Sequence, residues 1–178
     1  LWAALPAAAR IAGTITGLVG FTPMSTTVSY WGCIPGSQTG LAAGTYTDTV
    51  TMTLLYGGAT NPTATFPVTV VSPASCTMTT APGTVAFTYS AFRATAATAN
   101  TTYRVTCTNL LPYTMALDAT TAVISGLQYS LALSSSGGTG TGAAQLYTIT
   151  GTMPANQAGT CATASCAATQ ARTLTITY

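Results

Sequence analysis

Seven short runs of alternating apolar residues constrain this chain more than any other feature. They are Val50-Met52-Leu54-Tyr56, Phe66-Val68-Val70, Val85-Phe87-Tyr89, Tyr103-Val105-Cys107, Tyr113-Met115-Leu117, Leu127-Tyr129-Leu131 and Leu174-Ile176-Tyr178. A period of two is the signature of a strand with one buried face, and each run is bounded by Gly, Pro, Asn or Ser. Threonine, which suits a pleated sheet, fills many of the intervening positions. No stretch carries a capped 3.6-residue stripe. Only Ala91 to Asn100 leaves a helical turn in competition with a loop or edge segment. The expected fold is all-β, a sandwich of antiparallel strands.

Charge narrows the function. Only 3% of the residues are charged, against about 25% in an ordinary soluble domain. The deficit does not come from a membrane helix, which needs about 18 uninterrupted apolar residues. The most apolar stretch, Leu1 to Gly20, is broken by Pro6, Arg10, Thr14 and Thr16. A net charge of +2 with no basic cluster argues against a nucleic-acid partner. With no histidine, a Ser-His or Cys-His nucleophile is impossible. Asp48 and Asp118 are the only carboxylates and lie far apart in sequence, so paired acid–base catalysis is not expected. Asp48 reads instead as a side-chain-to-backbone hydrogen bonder near a turn, and Arg104 as a solvent-facing strand residue. The Gly-rich stretch Ser134 to Gly142 has neither the lysine nor the following helix of a phosphate loop, and reads as a flexible surface loop. No catalysis, cofactor or metal is expected. So few charges give weak protection against self-association, which suits a protein that polymerises or coats a surface.

The five cysteines point to an oxidising compartment. Their spacing forms no paired C-x-x-C knuckles, so disulfides are expected rather than zinc. Cys76 and Cys107 sit near the ends of two expected strands and are paired on that basis. Cys161 and Cys166 flank a short Ala/Thr/Ser stretch and clip one loop. Cys33 is left over, its partner either upstream or absent. The opening LWAALPAAAR is either the tail of a signal peptide or the start of a chain that begins inside a domain.

An internal repeat organises the rest. VSYWGCIPGSQTG (Val28 to Gly40) superposes on LYTITGTMPANQAG (Leu146 to Gly159), matching Gly32 with Gly151, Pro35 with Pro154, Gln38 with Gln157 and Gly40 with Gly159. A closing strand follows each copy. Met52, Leu54 and Tyr56 of the first correspond to Leu174, Ile176 and Tyr178 of the second. GGATNPT, residues 57–63, has the composition of a linker. Two related tandem domains are expected, the first represented by its C-terminal part (1–56) and the second complete (64–178).

Three segments carry a resemblance to a known family. An extended apolar strand leads into a cysteine, FPVTVVSPASC (Phe66 to Cys76). A second cysteine ends a strand, YRVTC (Tyr103 to Cys107), and YTMALD (Tyr113 to Asp118) follows. The block GCIPGSQTGLAAGTYTDTVTMTLLY (Gly32 to Tyr56) matches a terminal G-x-I-P … A-G-x-Y-x-D-x-V pattern. The second copy departs from it, with TCATASC in place of the A-G-x-Y-x-D part. Together they resemble the spore coat protein U domain family, which includes the subunits of archaic chaperone–usher pili. The resemblance implies immunoglobulin-like sandwiches that lack their final strand, secreted through the periplasm to a cell-surface fimbrium. It implies a groove beside the last strand, filled by an extended segment of another pilus subunit and held open beforehand by a periplasmic chaperone that delivers to an outer-membrane usher. Two-domain members resemble tip adhesins that meet an abiotic surface or a host receptor and serve attachment or biofilm formation.

On that basis Leu174, Ile176 and Tyr178 are the expected groove wall, the alternative being an ordinary buried strand. Phe66, Val68 and Val70 are either the first strand of the second domain or a donor segment. Tyr30 and Trp31 are either core residues or a surface-contact cluster, with Trp2 in the same position. Two other functional classes fit the composition: a secreted spore-coat or matrix protein without strand exchange, and a carbohydrate-binding β-sandwich module.

Overall fold

The structure, a computed structural model, describes residues 34–53, 63–163 and 166–178. All the described strands belong to the compact unit Gln38–Tyr178. Tyr30, Trp31, Trp2 and Cys33 lie outside the described residues, as do Leu54 and Tyr56.

Ten strands follow in chain order: β1 (Gly44–Thr53), β2 (Thr63–Ser72), β3 (Cys76–Thr80), β4 (Ala97–Cys107), β5 (Pro112–Leu117), β6 (Thr121–Ile124), β7 (Leu127–Leu133), β8 (Gly137–Thr139), β9 (Ala144–Met153) and β10 (Leu174–Thr177). Among the described residues there is no helix. A five-stranded sheet runs β3-β4-β9-β7-β6 and a three-stranded sheet runs β10-β5-β8, with every strand pairing antiparallel. This is an immunoglobulin-like sandwich.

The alternation in sequence explains which faces meet. Tyr103, Val105 and Cys107 of β4, Tyr129 and Leu131 of β7 and Ile149 and Met153 of β9 point inward from the larger sheet. Tyr113 and Met115 of β5 answer from the smaller one, because successive side chains leave a strand on opposite faces. Two tyrosines bring hydroxyls into this core, and each finds a partner. The Tyr103 hydroxyl reaches Met115 Sδ at 3.3 Å, and the Tyr113 hydroxyl meets Tyr147 Oη at 2.5 Å and donates to Gln145 Oε1 at 3.1 Å. Burial, with the neighbouring phenols, holds both Tyr103 and Tyr113 above the ordinary tyrosine pKa of 10.0.

Two local expectations give way to tertiary context. Ser134 to Gly142 is not a free loop: Gly137–Thr139 is an edge strand laid against β5. Its glycines are needed there, since a Cβ at Gly138 would come within 2.8 Å of Tyr147 Oη and 2.9 Å of Tyr113 Oη. Val85, Phe87 and Tyr89 are half-buried in strict alternation, yet Thr84–Tyr89 joins no ladder among the described residues. Ala91–Asn100 holds a turn at Ala91–Phe92 and then enters β4 at Ala97.

Phe66, Val68 and Val70 lie on β2, which joins neither sheet of the sandwich. It pairs with β1 along ten residues, from Gly44 opposite Ser72 to Thr53 opposite Thr63. Asp48 lies within β1, and its carboxylate accepts the Thr49 amide at 2.8 Å. Arg104 is exposed.

Candidate functional site

The closing strand β10 stands at an edge. Among the described residues its one neighbour is β5, with Leu174 opposite Leu117 and Ile176 opposite Met115. That register places Leu174 and Ile176 on the core side, where both are half-buried, and leaves Tyr178 at 59% exposure. An edge strand presents a row of backbone donors and acceptors in the plane of its sheet.

Beside β10 the two sheets part around an apolar cavity of about 760 Å³. Leu174 lines it, as do Leu117, Ile124 and Leu131 from the strands behind. The facing wall is Pro82–Phe87 with Tyr89, a segment that alternates like a strand but joins no ladder among the described residues. Ile176 and Tyr178 are not part of the lining. The residues missed by sequence reasoning are those of the facing wall. Their alternation was visible, but it carries no sign of where a ladder is missing.

Why this segment lies where it does follows from the repeated motif. Gly151 is buried on β9, and a Cβ there would meet Phe87 Cζ at 2.5 Å and Val85 Cγ1 at 2.6 Å. Only a residue without a side chain lets the segment sit directly on the β9 backbone. Past the end of β9, the Tyr89 hydroxyl donates to the Pro154 carbonyl at 2.7 Å and accepts the Gln157 amide at 3.1 Å. The Gln157 side chain accepts from the Gln128 amide at 2.6 Å and donates to the Gln128 and Pro154 carbonyls at 3.0 and 3.1 Å. Gly159 turns the chain with φ 71°. Gly151, Pro154, Gln157 and Gly159 therefore form a corner that fixes one wall of the cavity to β7 and β9.

Two disulfides brace the sandwich. Cys76 and Cys107 are bonded across β3 and β4, where they are directly opposite, and Cys161 and Cys166 are bonded within the loop after β9. From Cys166 to Arg172 that loop borders the cavity. It is held by Arg172, whose Nε donates to Tyr129 Oη at 2.9 Å and whose Nη1 lies 3.4 Å from Asp118 Oδ2. Tyr129 Oη donates to Gln170 Oε1 at 2.8 Å. The hydrogen bond to Tyr129 leads in raising the Arg172 pKa. Partial desolvation opposes ionisation of Asp118, but the Thr173 and Ala119 amides and Arg172 together hold its carboxyl below the ordinary value of 3.8.

The geometry offers an edge to be paired and an apolar slot to be filled. The Spore Coat Protein U domain model matches residues 62–178. The chain belongs to the Spore Coat Protein U domain family. No curated protein and no solved structure matches it significantly. The match spans the whole described sandwich together with β2. Spore Coat Protein U domains are structural subunits of extracellular, fimbrial surface assemblies and not enzymes, which gives this chain its class at the level of the family. Among the described residues no helix is long and apolar enough to cross a membrane.

Proposed function

We propose that this chain is an adhesive subunit of an archaic chaperone–usher pilus, assembled by donor-strand complementation. The carrying observation is the pair of walls around the cavity. Leu174 of β10 on one side and Thr84–Tyr89 on the other line the slot, and among the described residues both segments have strand-like alternation with an unclaimed backbone edge. An extended segment laid between them gains backbone hydrogen bonds from the edge and sends alternate side chains into the slot. The donor is the leading segment of another pilus subunit. Before assembly a periplasmic chaperone holds the same slot, and an outer-membrane usher carries the subunit to the cell surface. Residues 1–56 form the C-terminal part of a first domain, 57–63 a link and 64–178 the pilin domain. The first domain meets the surface or receptor, in attachment or biofilm formation.

The test is co-expression of the full chain in a periplasm with a chaperone and a second subunit encoded beside it. The expected product is a complex that survives SDS without heating and is absent for Leu174→Asp, with both disulfides still formed in that variant. A chain that stays monomeric, stable without chaperone and unable to take up any extended donor would remove the proposal.

A further inference from the structure

The β1–β2 ribbon has two chemically distinct faces. Its register sets Tyr46 opposite Val70, Asp48 opposite Val68, Val50 opposite Phe66 and Met52 opposite Ala64 on one face. The other face carries Thr45, Thr47, Thr49, Thr51 and Thr53 against Val71, Thr69, Pro67, Thr65 and Thr63. One side is apolar but for Asp48 and Ser72, and the other is largely threonine. That is the pattern of strands cut from a half-buried sheet, and a two-stranded ribbon alone is at best marginally stable in water.

The repeat identifies the sheet. β1 is the closing strand of the first copy, as β10 is of the second. Among the described residues β10 has a neighbour on one edge only, whereas β1 has β2 along its full length, antiparallel and in continuous register. β2 suits a terminal place in a sheet. Pro67 has no N–H to give to a ladder, which confines its strand to an edge.

The departure of β2 from the sandwich is fixed by side chains. The Thr108 hydroxyl, next to the Cys107 disulfide, accepts the Ser75 amide at 3.1 Å and faces the Pro73 and Ser75 carbonyls at 3.2 Å. Asn109 Nδ2 donates to the Gly40 carbonyl at 2.9 Å, and Ala42 bridges Asn109. The chain leaving β2 and the chain entering β1 are thereby both tied to the start of the β4–β5 connection.

We infer that β2 is the completing strand of the first domain, supplied in cis by the leading segment of the second. The pairing proposed for β10 with another subunit is thus already made for β1 within one chain, and β2 is withheld from neighbouring copies. This inference rests on the reading of β10 as an acceptor edge. It also shifts the functional boundary between the domains from residues 57–63 to the crossing at Pro73–Ser75.

The experiment introduces cysteine pairs across the ribbon in the full chain, Val50→Cys with Phe66→Cys and, separately, Thr51→Cys with Thr65→Cys. Adjacent opposed pairs in an antiparallel ladder alternate between hydrogen-bonded and non-hydrogen-bonded sites, so one of the two sits at the closer spacing. Heavy-isotope-labelled and unlabelled chains are unfolded, mixed, refolded together and oxidised, and the linked peptides are mapped by mass spectrometry. The expected result is linked peptides with matched labels only. A random mixture of labels would show β2 serving a neighbouring copy and overturn the inference while leaving strand exchange intact. Absence of the link in both pairs would overturn it as well. The acceptor reading of β10 is measured separately by the Leu174→Asp assay, so either idea can fail alone.

Discussion

Phe87 rests on Gly151, so close that the smallest side chain at 151 would reach 2.5 Å from the ring. The contact ties the unpaired wall of the slot to a glycine that recurs in both copies of the internal repeat. Gly151→Ala should lower stability by about 1–3 kcal/mol through overpacking and weaken donor uptake, because Thr84–Tyr89 must lift off β9. Gly40→Ala is the control, with nothing within 4 Å of its added Cβ, and should stay within about 0.5 kcal/mol of the parent. Urea denaturation under non-reducing conditions checks both.

Gln157 acts as a substitute strand residue, exchanging hydrogen bonds with both the amide and the carbonyl of Gln128. Gln157→Leu leaves those backbone groups to water and should cost about 1–2 kcal/mol. Amide exchange should rise first at Gln128. Unchanged protection there would show that the corner holds without it.

The two disulfides should differ in worth. Cys76–Cys107 closes a sequence separation of 31 and Cys161–Cys166 one of 5. Chain-entropy arguments give about 4 kcal/mol for the first and about 2 for the second. The double alanine variant of each pair, compared by denaturant midpoint, should preserve that order. The longer bridge carries an added penalty because Cys107 is 1% exposed.

Alkali should unfold the sandwich through its buried phenols. Tyr103 and Tyr113 are held above 10.0 in the folded protein by burial. Below pH 10 both states are protonated and the stabilisation is whole. Above it the unfolded chain ionises while the folded one does not, so stability falls as pH rises toward the raised folded values. Tyr113→Phe should flatten that fall. Ultraviolet titration should show tyrosinate appearing late and together with unfolding, whereas early independent ionisation of these two residues would contradict the burial argument.

Much of the fold was legible because burial leaves a trace in residue order. The alternations at Tyr103-Val105-Cys107, Tyr113-Met115-Leu117 and Leu127-Tyr129-Leu131 mark β4, β5 and β7 with their inward faces. The motif segments around Cys76, Cys107 and Tyr113 lie within the stretch matched by the family model. Less was legible at the slot. Val85, Phe87 and Tyr89 read as another strand and form a wall that joins no ladder among the described residues. Gln157 was visible as a repeated residue, but nothing in its type told that it would bridge to Gln128. The glycines of Ser134 to Gly142 suggest a free loop, yet Gly138 makes room for the Tyr113–Tyr147 pair and Gly137 and Gly140 lie against neighbouring backbone.

By itself, the order of residues determined an all-β antiparallel sandwich, its inward-facing side chains and its family. Tertiary structure alone decided which of the described strands have neighbours: β2 beside β1, β10 at an edge, Thr84–Tyr89 beside none among the described residues. The reason lies in strand geometry. Side chains project along the normal to a sheet, so their alternation records what lies above and below it, while backbone hydrogen bonds point within the plane and are the same for every residue except proline.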